Sequence, residues 1–214
     1  MRLVIFGPPA VGKGTQAVRL SAAHAIPHLS TGEMLRAAIA QETSVGKRAK
    51  VIMEKGGLVP DAVVVKIVAA RTAEADCNGG FILDGFPRTL AQAKAFDRVL
   101  RSRRQAVDLV IVIEADEAAL VSRVETRANE ARARGEKVRA DDDPDVFKKR
   151  LITYKAETAP VLPYYDRQGK IRTIDGMKPV DDVTAQIERV LQSRHRPKGW
   201  LRRWFGSRAA VAAG

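Results

Sequence analysis

The sequence contains a single cysteine, Cys77, and no long apolar run. One cysteine excludes a disulfide within the chain and a zinc site built from several cysteines, so we expect no structural zinc. No apolar stretch approaches the length needed to cross a bilayer. The chain enters a short apolar run at once, without the pattern of a signal peptide, and we therefore expect a cytoplasmic protein.

Acidic residues are missing from the end of the chain. None follows Glu188, whereas seven basic residues do: Arg189, Arg194, Arg196, Lys198, Arg202, Arg203 and Arg208. Taking these seven charges from the net charge of +12 leaves +5 for the rest of the chain. A positive charge of this size suits phosphorylated small molecules as well as nucleic acid, so charge alone does not separate the two.

The basic tail, residues 193–214, also carries several large apolar side chains. A helix would place four of them on one face: Trp200, Leu201, Trp204 and Phe205. A basic amphipathic segment with Trp can make weak contact with an anionic membrane. A disordered, solvated tail explains the same composition. Both interpretations fit the sequence, and we expect catalysis not to need the tail.

The remaining residues, 1–192, are enough for one α/β domain. Apolar runs predict strands at residues 3–6, 81–84, 107–113 and 170–174, with a short extended stretch at 28–30. Helical segments alternate with these strands, which is typical of a parallel sheet with helices on both faces. Several short helices between residues 31 and 74 exceed the single helix that a crossover needs, and they predict an inserted helical lobe. Asp61 is expected to cap the last of these helices and Thr89 to cap the helix after the 81–84 strand. A long helix is expected over residues 145–165, where two prolines, Pro160 and Pro163, end or kink it.

The first apolar run is followed by a glycine-bearing loop, Gly7-Pro8-Pro9-Ala10-Val11-Gly12-Lys13-Gly14-Thr15. A strand, such a loop and a helix N-terminus together bind phosphate, because backbone N–H groups and the helix dipole favour negative charge. Lys13 adds a full positive charge. The pattern departs from the usual one at Gly14, where a Ser or Thr is normally found, with Thr15 one step later.

A carboxylate, Asp84, ends the second long apolar run. Ligands of parallel sheets gather at the carboxyl ends of the strands, so Asp84 and the glycine-bearing loop should lie together. A carboxylate beside bound phosphate is tolerated when a divalent cation lies between them. We therefore assign Asp84 to Mg²⁺, with contact through water, since Mg²⁺ keeps several of its own waters. The alternative is a strand-end Asp that caps the turn at Gly85.

Arginines in or beside the predicted loops and lobe form a third pattern: Arg36, Arg88, Arg123, Arg127, Arg139 and Arg150. Arg123 and Arg127 are four residues apart, so they share one helix face, where like charges repel unless an anion lies between them. The segment 129–143 is polar and contains glycine, and it is predicted to be a mobile surface segment. Positioned positive charge is the main requirement of phosphoryl transfer.

These residues together resemble the adenylate kinases of the short-lid kind, over about residues 1–192. The matching motifs, in family order, are Gly7-x-Pro9-x-x-Gly12-Lys13-Gly14-Thr15-Gln16, Ser30-Thr31-Gly32-Glu33-Met34-Leu35-Arg36, Asp84-Gly85-Phe86-Pro87-Arg88-Thr89, Arg139-x-Asp141-Asp142 and Lys149-Arg150-Leu151. The resemblance implies an α/β, P-loop, three-layer fold with a central parallel sheet. It also implies an inserted helical NMP-binding lobe at about 30–59, a short mobile lid at about 126–142, and a monomer.

The resemblance implies reversible, Mg²⁺-dependent phosphoryl transfer from ATP to AMP, giving two ADP. The residues implied for ATP binding are Ala10, Val11, Gly12, Lys13, Gly14, Thr15, Arg127 and Lys178. Those implied for AMP are Thr31, Arg36, Gly57, Leu58, Val59, Gly85, Phe86, Pro87, Arg88, Gln92, Arg139 and Arg150. The catalytic set implied around the transferred group is Lys13, Arg88, Arg123, Arg139 and Arg150.

Two departures and two alternatives accompany this interpretation. Ala10 stands where the family usually has a second glycine, and the lid lacks the longer insert and the cysteine cluster of other members. One alternative is a UMP/CMP kinase or another nucleoside monophosphate kinase. Thr31 and Gln92 favour adenine, because a Gln amide can pair with both the donor edge and the acceptor edge of that base. The remote alternative is a P-loop protein that binds nucleic acid. The charge of +5 that remains without the tail does not require such a partner.

Overall fold

A five-stranded sheet of parallel strands forms the centre of the molecule. The computed structural model describes residues 1–40, 42, 44–54, 58–135, 138 and 143–192. The strands are β1 (Arg2–Phe6), β2 (His28–Ser30), β3 (Phe81–Asp84), β4 (Leu109–Glu114) and β5 (Ile171–Asp175). Their order across the sheet is β2-β3-β1-β4-β5. The predicted parallel sheet is confirmed, and the extended stretch at 28–30 is its edge strand.

Helices connect the strands. They are α1 (Lys13–His24), α2 (Thr31–Ala40), α3 (Ser44–Glu54), α4 (Asp61–Arg71), α5 (Leu90–Ser102), α6 (Glu117–Ala133), α7 (Pro144–Thr153), α8 (Leu162–Asp166) and α9 (Val180–Gln192). Within the ranges given above, no helix has both the length and the apolar character to span a membrane.

Both faces of the sheet are covered, as the continuous apolar strands predict. In β1, Val4 and Phe6 pack into one buried cluster, which includes Phe86 and Phe96. Leu3 and the other alternate residues of that strand pack into a second cluster on the opposite face, with parts of α1, α6 and α9. The alternation follows from the two-residue period of a strand, and it gives the three-layer arrangement.

The predicted surplus of helices between residues 31 and 74 is present as α2, α3 and α4. Ser30 caps the first of them, because its Oγ accepts a hydrogen bond from the Glu33 N–H at 3.3 Å. Helices α2 and α3 approach closely at Gly46, where an added Cβ would overlap the Ala38 carbonyl oxygen. A glycine is therefore required at this crossing.

Several predicted boundaries were wrong. The segment from residue 129 was expected to be a mobile surface segment, yet α6 continues to Ala133 and Ala131 is buried. Asp61 was expected to cap α4, but Pro60 holds the cap position and Asp61 is the first helical residue. The predicted helix over 145–165 ends at Thr153 and continues as a π-helical turn, Tyr154–Thr158, before α8.

The sheet register sets the position of the site. Asp84 pairs with Ile5 of β1 on one side and with Ser30 of β2 on the other. The loop that follows Phe6 therefore begins beside the Asp84 carboxylate, at the carboxyl edge of the sheet. Strands β2 and β3 lie on one side of β1, and β4 and β5 lie on the other. This switch in strand order at β1 opens a crevice in which ligands bind.

Candidate active site

The glycine-bearing loop after β1 has the backbone of an anion site. Gly7 adopts φ +152°, and a Cβ there would lie 2.6 Å from the Ile113 carbonyl oxygen, so only glycine fits. Gly12 precedes α1 with φ +97°, in the left-handed region that favours glycine. Lys13 Nζ donates to the carbonyls of Gly7 at 2.9 Å and Pro8 at 2.7 Å. The lysine thereby holds the loop around the N-terminus of α1.

Ala10 lies in the left-handed region at φ +62°. This conformation costs a residue with a Cβ about 1–2 kcal/mol relative to glycine. Ala10 adopts this conformation although it carries a Cβ. Ala10 also lines the cavity described below.

Asp84 lies directly under this loop. A Cβ built on Gly14 would be 3.5 Å from Asp84 Oδ2, and His28 Nε2 lies 3.7 Å from the same oxygen. Burial alone would raise the pKa of the Asp84 carboxyl, but His28 and the Lys13 ammonium outweigh it and hold that pKa below its usual range. Asp84 is thus an ionised carboxylate at the cavity wall.

Positive charge converges on Lys13. Burial lowers the pKa of the Lys13 ammonium to about 8, against the opposing effect of Asp84, and the charges of Arg150, Arg88 and Arg127 lower it further. Burial is the main cause of the lowered pKa, and the three arginines add positive potential that a bound anion would relieve. The three arginines come from three separate segments of the chain, so this convergence is a property of the fold.

Arg123 shares a helix with Arg127 and lines the same cavity, where backbone carbonyls hold its guanidinium. Its Nη2 donates to the Gly176 carbonyl at 2.7 Å, and its Nη1 lies 3.4 Å from the carbonyl oxygen of Val11. Lys178 lines the same cavity. Arg123 therefore lies between the phosphate loop and the turn after β5.

The other side of the cavity is built on the turn after β3. Thr31 Oγ1 donates to the Gly85 carbonyl at 2.9 Å, and Arg88 Nε donates to the same carbonyl at 2.8 Å. Thr158, in the π-helical turn, donates from Oγ1 to the Arg88 carbonyl at 3.0 Å. The guanidinium of Arg36 lies 3.2 Å from a Cβ built on Gly32. The bonds to Gly85 and from Thr158 fix Arg88 at the cavity wall.

Gln92 follows on α5 and is 1% exposed. Its Oε1 accepts a hydrogen bond from the backbone N–H of Arg88 at 2.7 Å, and its Nε2 donates to Asp61 Oδ1 at 2.8 Å. Thr89 caps the helix, accepting from the Gln92 N–H at 3.1 Å, as the sequence predicted. Thr89 Oγ1 also donates to Asp61 Oδ2 at 2.8 Å. A bonded network therefore ties α4 to α5.

One cavity of about 1250 Å³ brings most of the sequence-predicted residues together. Its walls include Ala10, Val11, Gly12, Lys13, Gly14, Thr15, Arg36, Leu58, Asp84, Gly85, Phe86, Pro87, Arg88, Arg123, Arg127, Arg150 and Lys178. Thr31, Val59 and Gln92 are buried and do not line it. Arg139, Gly57, Asp141 and Asp142 lie outside the described residues.

Three residues around the site were missed from the sequence. His28 was taken only as part of an extended stretch, and Asp61 only as a helix cap. Thr158 carried no signal at all, because it reaches Arg88 across 70 positions of the chain. For His28, the signal was available in its position on β2, two residues before Ser30 at the ligand-binding edge. Among the described residues, no group of three or more His, Cys, Asp or Glu could hold a metal ion by itself.

Comparison with known proteins identifies the family. A family model described as "Adenylate kinase" matches residues 5–170, more than half of the chain. The chain belongs to the adenylate kinase family. An adenylate kinase from Nitrobacter winogradskyi is 53% identical over 206 residues, covering 95% of this chain and 100% of the relative. One from Methylobacterium nodulans is 56% identical, covering 90% and 96%, and one from Methylorubrum populi is 56% identical, covering 89% and 96%. The resemblance seen in the sequence is confirmed.

Proposed function

We propose that the chain catalyses reversible transfer of a phosphoryl group from ATP to AMP, giving two ADP, at the cavity described above. The observation that carries this function is the convergence of Arg88, Arg127 and Arg150 on Lys13 beside an ionised carboxylate. The relatives that cover nearly all of this chain bear the name adenylate kinase, which supports AMP as the acceptor. The names of these relatives do not favour the alternative, a UMP/CMP kinase.

On the donor side, the loop that contains Ala10, Val11, Gly12, Gly14 and Thr15 would receive the ATP phosphates. The backbone N–H groups at the start of α1 favour negative charge there. Lys13 would contact the β- and γ-phosphates of ATP. Their negative charge would favour the protonated form of the Lys13 ammonium. Arg127 and Lys178 would complete this half of the site, both being cavity-wall residues.

On the acceptor side, AMP would lie against the turn formed by residues 85–88. The proposed acceptor set is Thr31, Arg36, Gly57, Leu58, Val59, Gly85, Phe86, Pro87, Arg88, Gln92, Arg139 and Arg150. Arg88 reaches the cavity from this side and Arg150 from α7. An attacking phosphate oxygen is already ionised near pH 7, since the second phosphate pKa is ~6, so no general base is required.

The transferred group would lie between the two halves, surrounded by positive charge. Lys13, Arg88 and Arg150 would stabilise its oxygens in the transition state, where charge is redistributed. Arg123 and Arg139 belong to the proposed catalytic set as well. Arg123 would approach the transferred group from the side of the phosphate loop. A closing lid, about residues 126–142, would exclude water, which competes with AMP as acceptor.

Mg²⁺ fits the chemistry of the site. Asp84 is an ionised carboxylate at the cavity wall under the phosphate loop, and Mg²⁺ is commonly held by one carboxylate, waters and substrate phosphates. Asp84 would hold it through water. When bound, the ion supplies charge that neutralises the phosphate oxygens. The chain's own part is to keep Asp84 ionised through His28 and Lys13.

The fate of the γ-phosphoryl group tests this function. With ATP labelled in the γ-phosphate, Mg²⁺ and AMP, we expect the label in the β-phosphate of ADP and two ADP formed for each ATP consumed. Omission of AMP should leave ATP intact, apart from slow hydrolysis. Release of labelled inorganic phosphate at the same rate with and without AMP would contradict the proposal.

We further propose that the chain acts as a cytoplasmic monomer on ATP, AMP and ADP, without nucleic acid as a partner. Residues 193–214 lie outside the described residues, and weak contact of this tail with an anionic membrane stays a prediction from its sequence. The domain bounds that we propose are 1–192, with the helical lobe at about 30–59.

A further inference from the structure

We propose that Asp61 is a specificity-positioning residue: it fixes the orientation of the Gln92 amide so that the acceptor site pairs with adenine and rejects bases with the reversed hydrogen-bonding edge. This inference rests on the proposed function, because it concerns how the AMP half of that site selects its base. The inference arises from the hydrogen-bond network between α4 and α5. The Asp61 carboxylate in this network has no role in the phosphate chemistry and belongs to none of the sequence motifs.

The orientation of the amide is set chemically from both ends. The Arg88 N–H can only donate, so the atom 2.7 Å from it must be the amide oxygen of Gln92. The carboxylate oxygens of Asp61 can only accept, so the atom 2.8 Å from its Oδ1 must be the amide nitrogen. A flipped amide would set oxygen against carboxylate and nitrogen against N–H. Asp61 and Arg88 therefore exclude the flip together.

The fixed amide has unused capacity of one particular kind. After these two bonds, one Nε2 hydrogen and one lone pair of Oε1 remain on Gln92, and the described residues supply no further bond to either. Buried polar capacity is costly to leave unused, and this side chain is 1% exposed. One donor beside one acceptor matches the adenine edge, which offers N6–H and N1. The hypoxanthine edge offers O6 and N1–H, the reverse order.

The second oxygen of Asp61 keeps the carboxylate itself in place. Oδ2 accepts from Thr89 Oγ1 at 2.8 Å, and Thr89 is the N-cap of the helix that carries Gln92. Asp61 begins α4, where a negative charge is favoured by the helix dipole. The carboxylate is thus held by two elements, and it cannot turn to follow a rotating amide.

Asp61→Asn tests the inference, because asparagine has the same shape but can present either a donor or an acceptor to Gln92. We expect kcat/KM for AMP relative to inosine monophosphate to fall about tenfold, while the KM for ATP stays unchanged, since a lost charge-assisted hydrogen bond is of that order. Asp182→Asn, an exposed first-turn residue of α9, is the matched control and should keep the wild-type ratio.

The double variant Asp61→Asn with Gln92→Glu separates positioning from packing. We expect Asp61→Asn alone to lower the melting temperature, because it weakens the bond to Gln92. In the double variant, the amide introduced at position 61 would donate to a carboxylate that still accepts from the Arg88 backbone N–H, so we expect that stability to return. The preference for AMP over inosine monophosphate should stay low, because position 92 would have no donor. Recovery of that preference together with stability would overturn the inference and show that Asp61 only holds α4 against α5.

The outcomes also separate this inference from the proposed function. A wild-type chain that phosphorylates AMP and disfavours inosine monophosphate, with Asp61→Asn showing the same ratio, overturns the role of Asp61 alone. Equal use of both acceptors by the wild type overturns it as well. Failure of the wild type to phosphorylate AMP would instead remove the proposed function.

Discussion

Replacing Lys13 by methionine should reduce kcat/KM for ATP and AMP about 1000-fold, which corresponds to about 4 kcal/mol of transition-state stabilisation. The substitution keeps the length and apolar stem of the side chain while removing the charge that would meet the β and γ phosphates. It also removes the two bonds from Nζ to the loop carbonyls of Gly7 and Pro8. Steady-state kinetics with both substrates varied would measure the loss.

The stability of this variant separates a catalytic lysine from one that only orders the loop. Burial lowers the pKa of Lys13 to about 8, so the empty folded protein already disfavours its charge. We therefore expect the melting temperature of Lys13→Met to stay within a few degrees of the wild type. Lys66→Met, an exposed change on α4, is the control and should retain full activity. Activity of Lys13→Met within a few-fold of wild type would remove Lys13 from the mechanism.

Replacing Arg88 by alanine should lower kcat about 1000-fold, because an arginine that stabilises a transferring phosphoryl group is worth at least that much. The guanidinium is held at the cavity wall by its bond to the Gly85 carbonyl, and Thr158 bonds the backbone oxygen of Arg88. The backbone contacts of residue 88 should keep the turn in place when the side chain is removed. The loss should therefore fall on kcat as well as on the KM for AMP.

Arg88→Lys is the informative companion. It keeps the charge but not the planar fork that pairs with two phosphate oxygens, so we expect it to recover only part of the lost rate. Arg98→Ala, a change at an exposed arginine on α5, is the control for loss of positive charge and should behave as wild type. A loss confined to the KM for AMP, with kcat intact, would limit Arg88 to binding AMP.

Local patterns predicted the parts of the fold that local physics determines. Apolar runs indicated four of the five strands, and the fifth, β2, was predicted as a short extended stretch. The glycine-bearing loop with Lys13 was recognisable because its spacing serves one kind of backbone geometry. Asp84 was placed correctly at the edge of the sheet, since strand ends in a parallel sheet share one edge. Residues 129–133 were misassigned because their helix depends on the burial of Ala131, which packing decides.

Contacts between distant segments were beyond prediction. Asp61 lies 31 positions from Gln92, and no periodicity links a first-turn carboxylate to an amide on the next helix. In the sequence, Arg123 and Arg127 share one helix face, and only the family resemblance implies different roles for them. The fold separates them, as Arg127 lowers the pKa of Lys13 whereas Arg123 bonds the Gly176 carbonyl. Such differences depend on which neighbours tertiary structure supplies.

The identity of the acceptor tests the central claim most directly. Initial rates of ADP formation from Mg-ATP should be compared with AMP, CMP, UMP and GMP as acceptors, each over a full concentration range. We expect kcat/KM for AMP to exceed that for each other monophosphate by about 100-fold or more, because a site that hydrogen-bonds one base leaves polar groups unpaired with another. Equal or faster phosphorylation of CMP or UMP would contradict the assignment of the acceptor half to AMP.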